Sequence, residues 1–388
     1  MRRAAVVSIV FIFGAALLVA AAPVTSAAAC SWSAVTAPNP GSVQTLLAAV
    51  DGAVDDVWTV GAFKDPGTLF KSLAEHMTPD GWKRVKTPNV RRRNNILSNL
   101  TYLTEAEVWA VGNVQRKSGE AKNLMQHWDG TTWSRVPVPA SGRAIDSLSG
   151  IDAAPPSDLP IDPIGGTDLW AVGTSAKLSG ASRAQILHYD GTTWTSQAGP
   201  AVGSAHGLAA VLAISPTDVW AVGYKKAGDE FRPLAMHFDG AIWSVIQTPG
   251  PGAGFGGSSL SGLAGSSSTD LWAAGTRGDG QPFVMHYDGT TWTVESGFPE
   301  VTGEEAFISI TQHEDGDLWA AGLNITESKV RPLLMHRAGE TWSNDTTPSP
   351  SVFNVLIGVT AVPGGAVWAA GYSVDIEGNA KSFLLRCG

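Results

Sequence analysis

DVWAVG at residues 218–223, followed by HFDGAIW at 237–243, decides the fold, because both stretches recur along the chain. The first returns as DVWTVG around Trp58, EVWAVG around Trp109, DLWAVG around Trp170, DLWAAG around Trp272 and Trp319, and AVWAAG around Trp368. The second is a His six residues before a Trp. It pairs His76 with Trp82, His127 with Trp133, His188 with Trp194, His286 with Trp292 and His336 with Trp342. Self-similarity at a spacing of about 50 residues is the signature of a repeat architecture. A seventh copy of the second stretch appears when the chain ends are joined: SFLLRCG (382–388) supplies its first half and Cys30-Ser31-Trp32 its second.

Each repeat reads as four short strands: a Gly- and Ser-containing strand such as LSGLAG, the Trp strand, an apolar strand such as PFVMH, and a strand starting at TTW after an Asp-Gly turn. Four-stranded sheets repeated radially make a propeller. The expectation is an all-β, seven-bladed β-propeller over residues 30–388, closed by pairing of the N-terminal strand with the C-terminal blade. Composition agrees: 15 Trp, 44 Gly and 23 Pro with only 16% charged residues suit strands and tight turns. In the joined copy Cys387 takes the Tyr287 position and Cys30 the Thr290 position, the two ends of a tight turn whose α-carbons lie within about 7 Å. A Cys30–Cys387 disulfide is therefore expected, worth roughly 3–5 kcal/mol in the chain-entropy description.

Met1-Arg2-Arg3, an apolar run to Val24 and the small residues Thr25 to Ala29 read as a signal peptide over residues 1–29. The protein is expected to be secreted, with no transmembrane segment in the mature chain. Lipoprotein anchoring at Cys30 is the weaker alternative, because Ala27 rather than Leu stands three residues before it. A net charge of −9 argues against nucleic acid as partner.

The repeated DVWAVG and HWDGTTW stretches resemble the tandem-repeat β-propellers secreted by actinobacteria, and the resemblance spans residues 30–388. The DGTTW hairpin is more distantly similar to the Asp box of sialidase- and sortilin-type propellers, and the overall plan to kelch and galactose oxidase propellers. These resemblances imply a fold and leave the activity open. Galactose oxidase chemistry would need a copper site with a thioether-linked Cys, whereas both cysteines here fall at the closure. For sialidase chemistry no Arg and Tyr motif is present.

Candidate ligand-binding residues fall into two sets. Trp82, Trp133, Trp194, Trp243, Trp292 and Trp342 begin the outermost strands, where an exposed face could stack on sugar. Lys71, Lys122, Arg183, Arg232, Arg331 and Lys381 stand five residues before the repeated His or its Arg386 counterpart, with Gln281 in the remaining blade. Such cations on the face of the interblade loops would suit uronates, sulfates or phosphates. The bland reading is pairing with acids of the next blade. The repeated His lie one per blade, too dispersed for a metal site, so no metal and no cofactor is expected. The acids opening the Trp strands, Asp56 to Asp317, read as turn caps.

Catalysis would need residues that break the sevenfold pattern. Those are Arg91, Arg92, Arg93 and Asn94 in one loop, His206 in another, and Glu304 with Glu305 in a third. The favoured reading is a monomeric, secreted binding module, multivalent and lectin-like toward an extracellular glycan or polysaccharide, including anionic ones. A polysaccharide lyase or glycoside hydrolase using Arg92, His206 and Glu304 is the alternative, and a scaffold for a protein partner the third.

Overall fold

A computed structural model describes residues 31–155, 167–250, 257–299 and 302–388. The leader, Cys30 and residues 156–166 are among those that lie outside them. Among the described residues every regular element is a β-strand, twenty-eight in all. They fall into seven antiparallel groups of four. The fourth group shows the plan: inner strand His206–Ser215, second strand Asp218–Ala227, third strand Glu230–Phe238 and outer strand Trp243–Ile246. The last group takes its outer strand from the other end of the chain, Ser33–Val35 against Ala380–Cys387, with Ser33 opposite Arg386. All seven inner strands line one axial channel of about 510 Å³. The architecture is a seven-bladed β-propeller.

Each inner strand carries a β-bulge, between Leu47 and Ala49 in the first blade and between Leu356 and Gly358 in the last. The motif Gly of the second strand sits against that bulge. A Cβ on Gly322 would stand 1.8 Å from the Ala306 carbonyl oxygen, and one on Gly61 1.9 Å from that of Leu46. The Gly that ends DVWAVG is thus dictated by backbone approach rather than by a turn.

The second strand is buried on both faces because a neighbouring blade covers each. Trp170, Val172 and Ile186 of the third blade share one core with Leu208, Val219, Met236 and Trp243 of the fourth. Trp243 meets Trp170 edge-on at 5.5 Å, and the same crossing joins Trp133 to Trp58, Trp194 to Trp109 and Trp292 to Trp220. The two repeated signatures therefore belong to one contact, in which the outer Trp of a blade caps the motif Trp of the blade before it. A buried Trp at each seam contributes on the order of 2–3 kcal/mol through burial alone.

The repeated His closes the same unit. His76 stacks on Trp58 at 4.1 Å, and its Nε2 lies 2.6 Å from Asp56. His188, His237, His286 and His336 repeat the arrangement with Asp168, Asp218, Asp270 and Asp317. Five of the six strand-opening acids thus hold a histidine, where the sequence expectation made them turn caps; Glu107 instead accepts from Trp109 and Thr167. In the last blade the Arg386 guanidinium lies over Trp368 instead.

Candidate functional site

Because the interblade loops and the second-to-third strand turns emerge together, third-strand starts face the loops entering the next blade. Lys71, Lys122, Arg183, Arg232, Arg331 and Lys381 are all exposed there. Arg183 donates to the Gly203 carbonyl and Gln281 to that of Gly303, each in the loop leading to the following blade. Several are matched by acids: Lys122 with Asp146 of the next blade at 3.1 Å, Arg232 with Glu230 at 3.6 Å, Lys71 with Asp65 at 4.0 Å. The cations do not make an evenly charged ring.

Charge concentrates instead in one sector. Between residues 83 and 143 the sequence holds eleven Lys and Arg against four Asp and Glu, in a chain of net charge −9. Folding gathers five of them, Arg93, Arg116, Lys122, Arg135 and Arg143, around a cleft of about 490 Å³ between the second and third blades. The sole carboxylate lining it is Glu120, bonded to Arg116 at 2.8 Å. Arg143 is steadied by the Ala181 carbonyl and by the Lys122 ammonium, which donates to its own carbonyl oxygen. Arg135 is exposed and has no ion-pair partner among the described residues. Fixed guanidinium groups around a concave site bind carboxylate, sulfate or phosphate through paired N–H donors. Arg116, Arg135 and Arg143 escaped the repeat-based reading, since none stands at a repeated position; the local charge imbalance is the signal that finds them.

The loop entering this cleft is strained. Arg92 has φ 58°, one of two described non-glycine residues in the left-handed region, the other being Asp55. Loops entering other blades use Gly142, Gly203, Gly257 and Gly303 with positive φ. Holding a bulky side chain where glycine is favoured costs about 1 kcal/mol. Arg92→Gly is expected to leave stability unchanged or raise it by up to about 1 kcal/mol, measured by denaturant unfolding. A loss above that size would show that Arg92 makes a structural contact instead.

The outer Trp do not offer the expected stacking faces. Trp133, Trp194, Trp243, Trp292 and Trp342 are only 4–8% exposed, because each caps the seam described above. Trp82 is half-buried and edge-on to Trp368 at 5.6 Å. Nor do the proposed catalytic residues converge. Arg91 and Arg92, His206, and Glu304 with Glu305 lie at the entries to the second, fourth and sixth blades. None of these five lines the channel or the cleft. His206 is buried, and burial with the charges of Arg183 and Arg143 pushes its pKa down, against a backbone hydrogen bond that favours the cation. Glu305 is buried and accepts from Asn324 at 2.9 Å, with burial holding its carboxyl above the usual range. Glu304 is exposed.

The channel contains two acids that the repeat reading overlooked. The inner-strand residue opposite each motif Trp is Asp51, Thr101, Asp152, Leu212, Ala264, Thr311 and Thr360 in chain order. Asp51 accepts the Tyr102 amide and Asp152 the Ala213 amide, both at 2.8 Å. Thr311 accepts the Ala361 amide in the same way. These side chains latch one inner strand to the next. Burial pushes Asp51 up to about 6 and Asp152 up to about 7, against the lowering effect of those amides. Carboxyls raised in the folded state stabilise it fully below about pH 4, and that contribution fades as pH rises through 6 and 7. Among the described residues no group of three His, Cys, Asp or Glu is arranged to hold a metal ion.

No protein-family model matches the chain, and no curated protein matches it. Solved structures do. YCF48 described as bound to the D1 peptide aligns at TM-score 0.53 with 15% identity, covering 92% of this chain and 96% of that one. A protein of unknown function from Dyadobacter fermentans aligns at TM-score 0.55 with 9% identity, over 78% of this chain and 98% of that one. YCF48 from Cyanidioschyzon merolae aligns at TM-score 0.50 with 15% identity, over 92% and 98%. At these identities the likeness establishes the fold alone.

Proposed function

We propose that the chain is an exported binding module that holds an acidic extracellular polysaccharide in the cleft between its second and third blades. One observation carries this reading: five Lys and Arg converge there in an otherwise acidic chain, and although Arg116 pairs with Glu120 and Lys122 with Asp146, Arg93, Arg135 and Arg143 have no ion-pair partner among the described residues. The multivalent form of the lectin reading is not adopted, because five of its six outer Trp are buried. A single asymmetric site replaces it, so one ligand-binding site per chain is expected in calorimetric titration. Two or more equivalent sites would restore the repeated-site reading.

Export by the 1–29 leader and closure by a Cys30–Cys387 disulfide belong to the same proposal. Cys387 is 2% exposed at the outer-strand seam, and no described cysteine is free. Intact-mass analysis of the exported protein should find a chain starting near Cys30 and lacking free thiols. Two alkylatable thiols would remove the closure.

The test of function is incubation with acidic and neutral polysaccharides, scoring retained protein and released sugars in the same tubes. Retention on acidic polymers without product supports the proposal; released oligosaccharides would replace it with an enzyme. A protein-interaction scaffold is the second reading, favoured by the peptide-bound state of YCF48, which shares the fold at a TM-score of 0.53. Binding to an acidic peptide but to no polysaccharide would select it.

A further inference from the structure

A second cleft, of about 660 Å³, lies on the outer side of the first and second blades. It is lined by Lys83, Arg84 and Lys86, by the half-buried Trp128 and by Thr131 and Thr132, and by no carboxylate. Lys83, Arg84 and Lys86 are exposed. Lys83 reaches Asp80 at 2.7 Å, while Lys86 has no ion-pair partner among the described residues. One segment joins the two clefts: in KRVKTPNVRRR (83–93), residues 83–88 line this one, and Val90 and Arg93 line the one between the second and third blades. Six of its eleven residues are cationic, and none is acidic.

We infer that the two clefts are halves of one track for a linear acidic polysaccharide, which runs along residues 83–93 from Trp128 over the rim to Arg135 and Arg143. The inference rests on the proposed function and adds the length and shape of the ligand. Each cleft has the volume of a small-ligand site, enough for a short oligosaccharide. Eleven residues of chain span at most roughly 35 Å, so filling both requires a polymer. A sugar chain suits the outer half: the half-buried Trp128 offers an apolar surface beside the Thr131 and Thr132 hydroxyls, which donate to Asp129 and keep lone pairs to accept from sugar hydroxyls, flanked by Lys83 and Lys86. Two linked half-sites also gain from effective concentration, so affinity rises steeply once one chain reaches both.

The experiment uses the full exported chain with trigalacturonate, a galacturonate decamer and double-stranded DNA of matched charge, in wild type, Lys86→Glu and Arg135→Glu. Both positions are exposed, so the variants should fold, and thermal unfolding checks that they do. The track predicts that the decamer binds at least about tenfold more tightly than the trimer. Lys86→Glu should then weaken the decamer more than the trimer, while Arg135→Glu weakens both. Equal affinities for the two lengths, with Lys86→Glu silent and Arg135→Glu damaging, would overturn the track and leave the single cleft standing. No binding of either galacturonate would remove the proposed function itself, and DNA binding as tightly as the decamer would overturn the assignment to polysaccharide.

Discussion

Replacing Gly322 by alanine is expected to destabilise the protein by roughly 3–5 kcal/mol, at the upper end for a single substitution. The added methyl would stand 1.8 Å from the Ala306 carbonyl oxygen and 2.9 Å from its carbon. Both are backbone atoms inside a sheet, so no side chain can swing aside. Relief would require opening the bulge between Phe307 and Ser309, which positions the inner strand against the channel. Gly67→Ala is the contrasting substitution. Gly67, unlike Gly322, has a positive φ, but a Cβ there meets nothing within 4 Å, so only backbone strain of about 1 kcal/mol is expected. Denaturant unfolding of the two variants measures the difference. Equal, small losses would mean that the motif Gly is not a steric requirement.

The second large effect has the opposite sign. Glu75 is fully buried, and neither of its carboxyl oxygens has a hydrogen-bond partner among the described residues. It stands opposite Thr59, at the register where the other blades hold Gln126, Leu187, Met236, Met285, Met335 and Leu385. Burial pushes its carboxyl up to about 8, only partly countered by the positive charge of Arg84. Glu75→Met should therefore stabilise the protein by roughly 2–4 kcal/mol near pH 8, by removing an unsatisfied buried acid.

The sign of the pH dependence follows from the same burial. With folded values raised to about 6, 7 and 8, Asp51, Asp152 and Glu75 contribute stability that is complete below about pH 4 and lost as pH rises through those values. Asp190 and Asp288, held down to about 2 by the hydroxyls and amides of their turns, work the other way in acid. Thermal unfolding should show higher stability at pH 5 than at pH 8, and Glu75→Met should narrow that gap. An unchanged or lower unfolding temperature for Glu75→Met at pH 8 would mean that Glu75 has a native partner.

The blade was legible in the sequence because its requirements are local and repeated. A Trp and a Gly under a bulge return in every copy, a His six residues before another Trp returns in six of the seven, and the ends declare their pairing by completing the seventh. The roles of those residues were less legible. Nothing in HWDGTTW says that its last Trp crosses to the preceding blade and buries itself on Trp58, since that contact joins residues 75 positions apart in sequence. The histidines were expected to bond to a turn, but in five blades the partner is the acid opening the neighbouring strand. The candidate site was hardest to see. Arg93, Arg116, Arg135 and Arg143 come from four separate segments, and only closure of the second blade against the third brings them around one cleft. Reading along the repeat hides such residues, because the repeat records what every blade shares while a single site depends on what one sector has alone. Asp51 and Asp152 illustrate the same limit: they become exceptional only when all seven inner strands are set in register.

The most direct test of the account is titration of polygalacturonate and of a neutral glucan into the wild-type chain and into the double variant Arg135→Glu, Arg143→Glu, at low and at roughly physiological salt. The account predicts one site for the acidic polymer, affinity that falls with salt, no binding of the neutral polymer, and a loss of at least about tenfold in the variant. Binding of the acidic polymer that is equally tight in the variant and insensitive to salt would contradict it.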